Sequence, residues 1–212
     1  MFPDFTSIMA VTIAGLTLAA SPGPSMMYVV SISMSQGRMA GFASSVGLAL
    51  GGMIHAIIAS IGLGALIVKM PVVFQGIQIL GAFYLFYLGV KTILEKSITS
   101  EDLVVENIDK KSLNLIFKQG VIVELLNPKT ILFFLAFLPQ FINSDTEHLK
   151  LHMFILGIIV PLTAIPFDVI ATVSGRYLAD KIAGSKNMQN TIKYISGAIL
   201  IILALITILS VA

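Results

Sequence analysis

Two proline motifs interrupt long apolar segments of this chain, and each could help to build a binding site for a small anion. One is Ser-Pro-Gly-Pro at residues 21–24, and the other is Asn-Pro-Lys at residues 127–129. A proline inside a helix removes a backbone donor and clashes with the preceding turn, at a cost of about 3 kcal/mol. Each motif therefore predicts a break, after which a new helix begins with unpaired amides and a partial positive charge.

The residues at each break are suited to starting a helix. Asn127 is a good N-cap and Pro128 fits the first helical position. Ser21 or Gly23 could cap the other new helix, and Lys129 adds a full positive charge to the second. The alternative is that both motifs are packing kinks, because Gly and Pro are common in membrane helices. Two breaks at corresponding positions favour a binding site.

Four ionisable side chains lie well inside the apolar segments, away from the segment ends: His55, Glu124, Lys129 and Asp168. A charge at the centre of a membrane helix costs roughly 2.5–3.5 kcal/mol on insertion scales. These groups must therefore be paired, protonated or in contact with water in a cavity. Each of these outcomes is typical of a path for a substrate or for protons.

Asp168 is the strongest candidate among these groups. We predict that it binds an ammonium group or carries a proton, and the alternative is a structural partner for Lys129. The prolines at Pro161 and Pro166 predict an irregular backbone just before it.

The roles of Glu124 and His55 are less determined by the sequence. Glu124 lies about one turn before the second break. It either lines the path for the substrate or protons, or it is an acid whose side chain extends to the cytoplasmic surface. His55 could titrate near neutrality. A neutral ring bonded to a backbone carbonyl is the favoured interpretation, with proton coupling through either residue left open.

The composition places these residues in a membrane. Of the 212 residues, 57% are hydrophobic and only 11% are charged, whereas a soluble domain carries about 25% charge. The net charge of +2 argues against a nucleic-acid partner, and the absence of cysteine excludes disulfides and thiolate chemistry.

A span needs roughly 20 apolar residues, and six segments of this all-α chain qualify: Phe5–Met34, Ala40–Val68, Val72–Leu94, Phe117–Ile142, Leu151–Tyr177 and Ile192–Ala212.

The polar stretch 95–116 predicts a cytoplasmic linker within a single transmembrane domain of 212 residues. It divides the chain into two three-helix halves, 1–94 and 117–212. Ten Lys and Arg residues lie in the loops after the first, third and fifth spans, against two on the opposite side. Because cytoplasmic loops retain basic residues, both termini are predicted outside. Two such halves that share a fold must be inverted repeats, a recurrent plan of transporters.

The predicted partners are membrane lipid, a small substrate and protons, with no cofactor. Within any one span, no pair of carboxylates or histidines has the i, i+4 spacing of a metal site. Small residues recur at every fourth position of the second span, which lets another helix approach closely: Gly52, Ala56, Ser60 and Gly64. Packing inside the bundle is the ordinary explanation, and a homodimer contact is the alternative.

Three stretches resemble the lysine exporter and homoserine–threonine efflux (LysE/RhtB) family of amino-acid exporters. They are SPGPSMMYVVSISMSQGRMAGFASSVGLALGGMIHAIIASIGLGALI, GAFYLFYLGVKTI and FKQGVIVELLNPKTILFFLAFLPQF, with Gly197 fitting the last helix. The resemblance implies efflux of amino acids or close derivatives across the cell membrane, driven by an ion gradient that is usually protons. The residues that match the family motifs are Pro22, Gly23, Pro24, Gln36, Gly37, Gly41, Gly47, Gly51, Asn127, Pro128 and Lys129.

The chain departs from the family pattern near both breaks. Position 124 is commonly Asn in relatives and is Glu124 here, and Ser25 stands where Asp or Asn is frequent. The aromatic residues that often follow the acid of the fifth span are also missing. These departures leave the choice of amino acid open, with Glu124 an argument for a cationic one.

We therefore expect a substrate carboxylate at the new helix starts, near Ser25–Met26 and Lys129–Thr130. Asp168, with Glu124 as a second candidate, receives the ammonium group or the coupled proton. Two other functions are alternatives: an intramembrane enzyme that uses His55 and Asp168 as acid and base, and a metal-ion exporter.

Overall fold

Every element is a helix within the part of the chain that the computed structural model describes, which is residues 2–20, 23–63, 70–94, 111–142, 148–183 and 185–211. The α-helices in chain order are α1 Phe5–Ala20, α2 Pro24–Gln36, α3 Arg38–Ile58, α4 Pro71–Leu94, α5 Leu113–Leu125, α6 Pro128–Leu132, α7 Leu149–Ala183 and α8 Lys186–Val211. A π-helical turn, Ala59–Leu63, extends α3. The helix of α6 continues through a π-helical turn, Phe133–Phe137, and a 3₁₀ turn, Leu138–Phe141.

Among the described residues, three helices are long and apolar enough to cross a membrane: Arg38–Gly62, which is α3 with its π-helical turn, Val72–Leu94 of α4 and Leu149–Ser174 of α7. Two bent pairs bring the number to five if each pair is one span: α1 with α2, and α5 with the helix Pro128–Phe141. In α8 the apolar stretch Lys193–Leu209 is shorter. The all-helical membrane architecture predicted from the sequence is confirmed.

Both predicted breaks are present. The axes of α1 and α2 differ by 50°, and those of α5 and the helix after Pro128 differ by 45°. Pro24 and Pro128 each occupy the first turn of the new helix, where a missing backbone N–H costs no hydrogen bond. Ser21 and Pro22 lie outside the described residues.

The backbone before Asp168 is regular, contrary to the sequence prediction. Helix α7 runs without interruption through Pro161 and Pro166. The ring of Pro161 lies against α3, since a Cβ built at Gly52 would stand 2.8 Å from its Cβ. Membrane helices tolerate proline where neighbouring helices pack against the altered turn.

The buried core joins α1, α7, α8 and the helix that follows the second break. Phe133, Leu138, Met153 and Leu156 are fully buried there. The outer surface instead exposes large apolar side chains, among them Val72 on α4, which is 78% exposed. An apolar exterior around a packed interior is what a lipid environment requires.

Glycines set two close helix crossings. Where α3 meets α5, a Cβ at Gly47 would stand 2.2 Å from the Phe117 carbonyl oxygen, and one at Gly120 would stand 2.6 Å from that of Ser44. Where α4 meets α8, Gly89 and Gly197 approach each other's carbonyl oxygens. Small residues at these points allow backbones to come together without a side chain between them.

The small-residue pattern of the second span serves packing inside the bundle. A Cβ at Gly157 of α7 would lie 3.0 Å from the Ala56 Cβ, and Gly52 faces Pro161 of the same helix. Gly64 lies outside the described residues.

The helix boundaries differ somewhat from the predicted ones. Helix α5 begins at Leu113, before the predicted start at Phe117, because Ser112 caps it by accepting from the Leu115 amide. Residues 95–110 of the predicted linker lie outside the described part of the chain.

Replacing Gly89 with Ala should lower the stability of the protein. The added methyl group would stand 2.8 Å from the Gly197 carbonyl oxygen and 2.7 Å from Ile201 Cγ1, so that α4 and α8 must separate. We expect a loss of about 1–3 kcal/mol, measured as a lower midpoint of thermal unfolding in detergent. Gly76→Ala on the same helix is the control, because its Cβ would have no atom within 4 Å. Equal midpoints for the two variants would contradict the close crossing.

Candidate functional site

A cavity lies where the two bent spans meet α3 and α7. Its polar lining combines Ser25 of α2, Glu124 of α5, Asp168 of α7 and three residues at the second break, Asn127, Lys129 and Thr130. The rest of the lining is mostly apolar and includes Leu18, Met26, Leu48, Phe134, Val160 and Phe167. Five of the predicted site residues therefore share this lining, whereas Gly23, Pro24, Pro128 and His55 are outside it and Pro22 is outside the described residues.

The side chain of Glu124 connects the starts of the two new helices. One carboxylate oxygen accepts a hydrogen bond from the Ser25 hydroxyl, and the other accepts from the Thr130 hydroxyl at 2.8 Å. Ser25 in turn accepts from Asn127 Nδ2 at 2.8 Å. Glu124 is therefore bonded within the cavity lining, and the alternative of an acid at the cytoplasmic surface is wrong.

Asn127 joins the two breaks as well as capping one helix. Its side-chain oxygen accepts from the Lys129 amide at 3.1 Å, which is the N-cap predicted from the sequence. Because its amide group also donates to Ser25, one side chain serves both bent spans. Asn127 is only 2% exposed, so water does not compete strongly for these bonds.

The side chain of Lys129, at the second break, contacts the helix end at the first break. Its Nζ donates to the carbonyl oxygen of Leu18 at 2.9 Å, in the last turn of α1. A Cβ built at Gly23 would stand 2.9 Å from that Nζ, so glycine leaves room for the ammonium group. A cation at the end of a helix satisfies its free carbonyl groups and complements its dipole.

His55 bonds a backbone carbonyl group at the end of α5, as Lys129 does at the end of α1. Its Nε2 donates to the Glu124 carbonyl oxygen at 3.1 Å, and its ring stacks on Phe134 with centroids 5.6 Å apart. This contact is the bond to a backbone carbonyl that the sequence interpretation favoured.

Asp168 lines the cavity from α7 and is half-buried. No hydrogen bond or ion pair joins its carboxylate to another residue in the described ranges, in contrast to Glu124 and Lys129. A carboxylate that faces a cavity in this way can receive an ammonium group or a proton.

Polar bonds beyond the cavity hold α2 against its neighbours. Tyr28 donates to the Ile116 carbonyl oxygen of α5 at 3.0 Å, and Ser33 donates to that of Thr172 on α7 at 2.6 Å. The side chain of Gln36, at the end of α2, accepts from the Lys111 amide at 2.8 Å. These three bonds hold α2 against α5, α7 and the residue Lys111 that precedes α5.

The sequence prediction placed the substrate carboxylate near Lys129–Thr130 but assigned no role to the Thr130 hydroxyl group, and it did not identify the Leu18 carbonyl group. Thr130 follows the Asn127 cap within one turn, where a hydroxyl group near a predicted break is a detectable signal. Leu18 has no such signal, because its contribution is a backbone oxygen. Among the family motif residues, Gly47 and Gly51 lie at the α3–α5 crossing rather than in the lining.

The fold and the cavity define a multi-pass membrane protein with a polar site between interrupted spans, which is a plan used by translocators. The chain belongs to the LysE type translocator family, whose model matches residues 16–210. It is 30% identical over 180 residues to the leucine efflux proteins of Salmonella typhimurium and Salmonella typhi, covering 83% of this chain and 82% of those proteins.

A further similarity is to an uncharacterized membrane protein of Pseudomonas aeruginosa, with 28% identity over 145 residues. This alignment covers 68% of the chain and 67% of the relative. No solved structure matches the chain. The family predicted from the sequence motifs is confirmed.

Replacing Asn127 with Ala should destabilise the junction between the two breaks. The variant loses the cap to the Lys129 amide and the bond to Ser25. We expect a loss of about 1–2 kcal/mol, measured by thermal unfolding in detergent. Asn114→Ala is the matched control, because Asn114 is exposed on α5, and its effect should stay within about 0.5 kcal/mol. A midpoint for Asn127→Ala equal to that of the control would show that the junction tolerates loss of the cap.

Proposed function

We propose that this protein exports amino acids with apolar side chains from the cytoplasm, by exchange for protons. The observation that carries the proposal is the composition of the cavity. Two acids line it, Asp168 and Glu124, together with hydroxyl and amide groups and a larger number of apolar residues, and only Asp168 has no bonded partner among the described residues.

The two ends of an amino acid have separate partners in this cavity. The ammonium group binds Asp168, whose carboxylate has no other partner among the described residues. The substrate carboxylate binds near Ser25–Met26 and Lys129–Thr130, at the starts of the new helices. Hydroxyl groups and backbone amides at such starts are suited to an anion.

The apolar lining supports a hydrocarbon side chain. Leu48, Phe134, Val160 and Phe167 surround the space between the polar groups. The matched Salmonella relatives are leucine efflux proteins, which supports leucine as the first substrate to test. Glu124 is bonded to two hydroxyl groups rather than directed at an open space, so it offers a cationic side chain no separate partner in this arrangement.

Coupling to protons follows from the chemistry of Asp168. An ammonium group and a proton neutralise the same carboxylate, so the two bind in alternation. Protonation from outside would release the amino acid there, and loss of the proton inside would prepare the site for the next substrate. This alternation is the essential requirement of an antiporter.

We further propose that the chain has six spans in two inverted halves in the inner membrane, with both termini outside. The reciprocal approach of Gly89 and Gly197 supports this symmetry, because they lie on the third helix of each half. In this orientation, the bonds of Tyr28, Ser33 and Gln36 close the cytoplasmic side, and they must break for a substrate to enter.

The two other functions receive less support from the contacts. An enzyme would need His55 and Asp168 within reach of each other, but His55 donates to the Glu124 carbonyl oxygen. In the described ranges, no group of three His, Asp or Glu side chains could hold a metal ion.

Counterflow of leucine in proteoliposomes tests the proposal. Liposomes that contain the protein and unlabelled leucine should accumulate labelled leucine well above liposomes without protein. Asp168→Asn should lower this exchange by about tenfold or more, because a hydrogen bond to a charged group contributes about 1.5–3 kcal/mol. Thermal unfolding of the variant should be little changed.

Asp4→Asn is the control for loss of an acid. Asp4 lies before α1 and accepts from the Ser7 amide at 2.8 Å, a bond that Asn preserves. This variant should exchange leucine at the wild-type rate. Full exchange by Asp168→Asn would remove Asp168 from the mechanism, and no exchange of any amino acid by the wild type would overturn the proposed function.

A further inference from the structure

We propose that Glu124 sets the affinity of the site, because it competes with the carboxylate of the substrate for the same hydroxyl groups, an inference that rests on the proposed export of amino acids. Its carboxylate occupies a hydroxyl cradle, which consists of the Ser25 and Thr130 hydroxyl groups together with the Asn127 amide. The substrate carboxylate takes this place only when the side chain of Glu124 withdraws.

The number of available protons makes this competition strict. A hydroxyl group has one proton to donate, and the Ser25 and Thr130 hydroxyl groups both donate to Glu124. One of the two protons on Asn127 Nδ2 is also used, in the bond to Ser25, and the side-chain oxygen accepts from the Lys129 amide. A second carboxylate therefore finds no free hydroxyl donor in the cradle while Glu124 remains there.

The hydroxyl cradle is largely buried, so its donors need a partner from the protein or from the ligand. Thr130 is 5% exposed and Asn127 is 2% exposed, so a withdrawn Glu124 cannot be replaced there by bulk water at little cost. The cradle is satisfied either by Glu124 or by the carboxylate of a ligand. Since Glu124 and an amino acid present the same functional group, each is a chemical substitute for the other.

An internal competitor lowers the apparent affinity of a site by the fraction of time that the site is free. If Glu124 holds the cradle for about 90–99% of the time, the apparent affinity falls about tenfold to a hundredfold. An exporter benefits from this, because Glu124 returns to the cradle as the substrate leaves and keeps the hydroxyl groups bonded. The substrate carboxylate and Glu124 thus exchange places without an empty intermediate.

Two fragments of leucine separate the effects on its two ends. One is 3-methylbutylamine, which lacks the carboxylate, and the other is 4-methylpentanoate, which lacks the ammonium group. Each is added as an inhibitor of leucine counterflow in proteoliposomes, for the wild type and for each variant. A change at the cradle must affect leucine and the acid, and must leave inhibition by the amine unaltered.

Glu124→Ala should lower the KM for leucine by about tenfold, with a similar gain in inhibition by 4-methylpentanoate and none for the amine. Glu124→Gln is the second variant, in case the first does not fold. Its amide has one acceptor oxygen in place of two, so one hydroxyl group becomes free and the KM should fall by a smaller factor.

Thr130→Val tests the cradle from the other side. Loss of the hydroxyl group should raise the KM for leucine in the Glu124→Ala background and cancel most of the gain. Thr12→Val is the matched control, because the Thr12 hydroxyl group donates to the Ile8 carbonyl oxygen within α1 and lies outside the cavity lining. It should leave the gain intact.

The outcomes separate this inference from the proposed function. An unchanged or higher KM for leucine in both Glu124 variants overturns the competition while export stands. Weaker inhibition by 3-methylbutylamine in these variants also overturns it, since Glu124 would then bind the ammonium group. Failure of the wild type to exchange any amino acid overturns both.

Discussion

Each interrupted span of this protein is completed by polar groups that belong to other spans. The end of α1 gives its Leu18 carbonyl oxygen to Lys129, and the end of α5 gives that of Glu124 to His55. In lipid an unsatisfied backbone group costs several kcal/mol, so a broken helix is stable only where protein groups or a cavity satisfy it. The two breaks therefore have to lie together, and the rest of the structure is arranged around that contact.

The helix packing explains how the contact is held. Glycines bring α3 against α5 and α4 against α8 at backbone distance, which leaves little freedom for either crossing to slide. The crossing at Gly47 and Gly120 lies on α5, shortly before Glu124. Because α5 is fixed against α3 there, the Glu124 side chain of α5 lies at the start of α2. For the same reason, His55 of α3 lies at the end of α5.

The charged groups of the cavity then have distinct tasks. Lys129 and the Glu124 carboxylate are engaged with the breaks, and both contribute to keeping the bent spans joined. Asp168 lines the same cavity from the uninterrupted helix α7. In this member of the LysE type translocator family, the two acids of the cavity therefore differ, because Glu124 is bonded to both breaks whereas Asp168 has no bonded partner among the described residues.

The sequence by itself determined the membrane class, the positions of both breaks and the ionisable residues near them. These follow from local chemistry, since proline disrupts its own helix and a charge is costly in lipid wherever the chain folds. The cap at Asn127 was predictable for the same reason, because an N-cap bonds within its own turn. The prediction for the backbone at Pro161 was wrong, because packing by α3 preserves the helix there.

Only the tertiary structure decided which group each side chain meets. Lys129 bonds a carbonyl oxygen of a distant helix, and Ser25 bonds a carboxylate of another. Such partners depend on the crossing of α3 with α5 and on the approach of the two breaks, and neither has a local signature. The hydrogen bonds of Glu124, and the lack of such bonds at Asp168 among the described residues, therefore depend on how the helices pack. Both are set by distances between residues that are far apart in the chain.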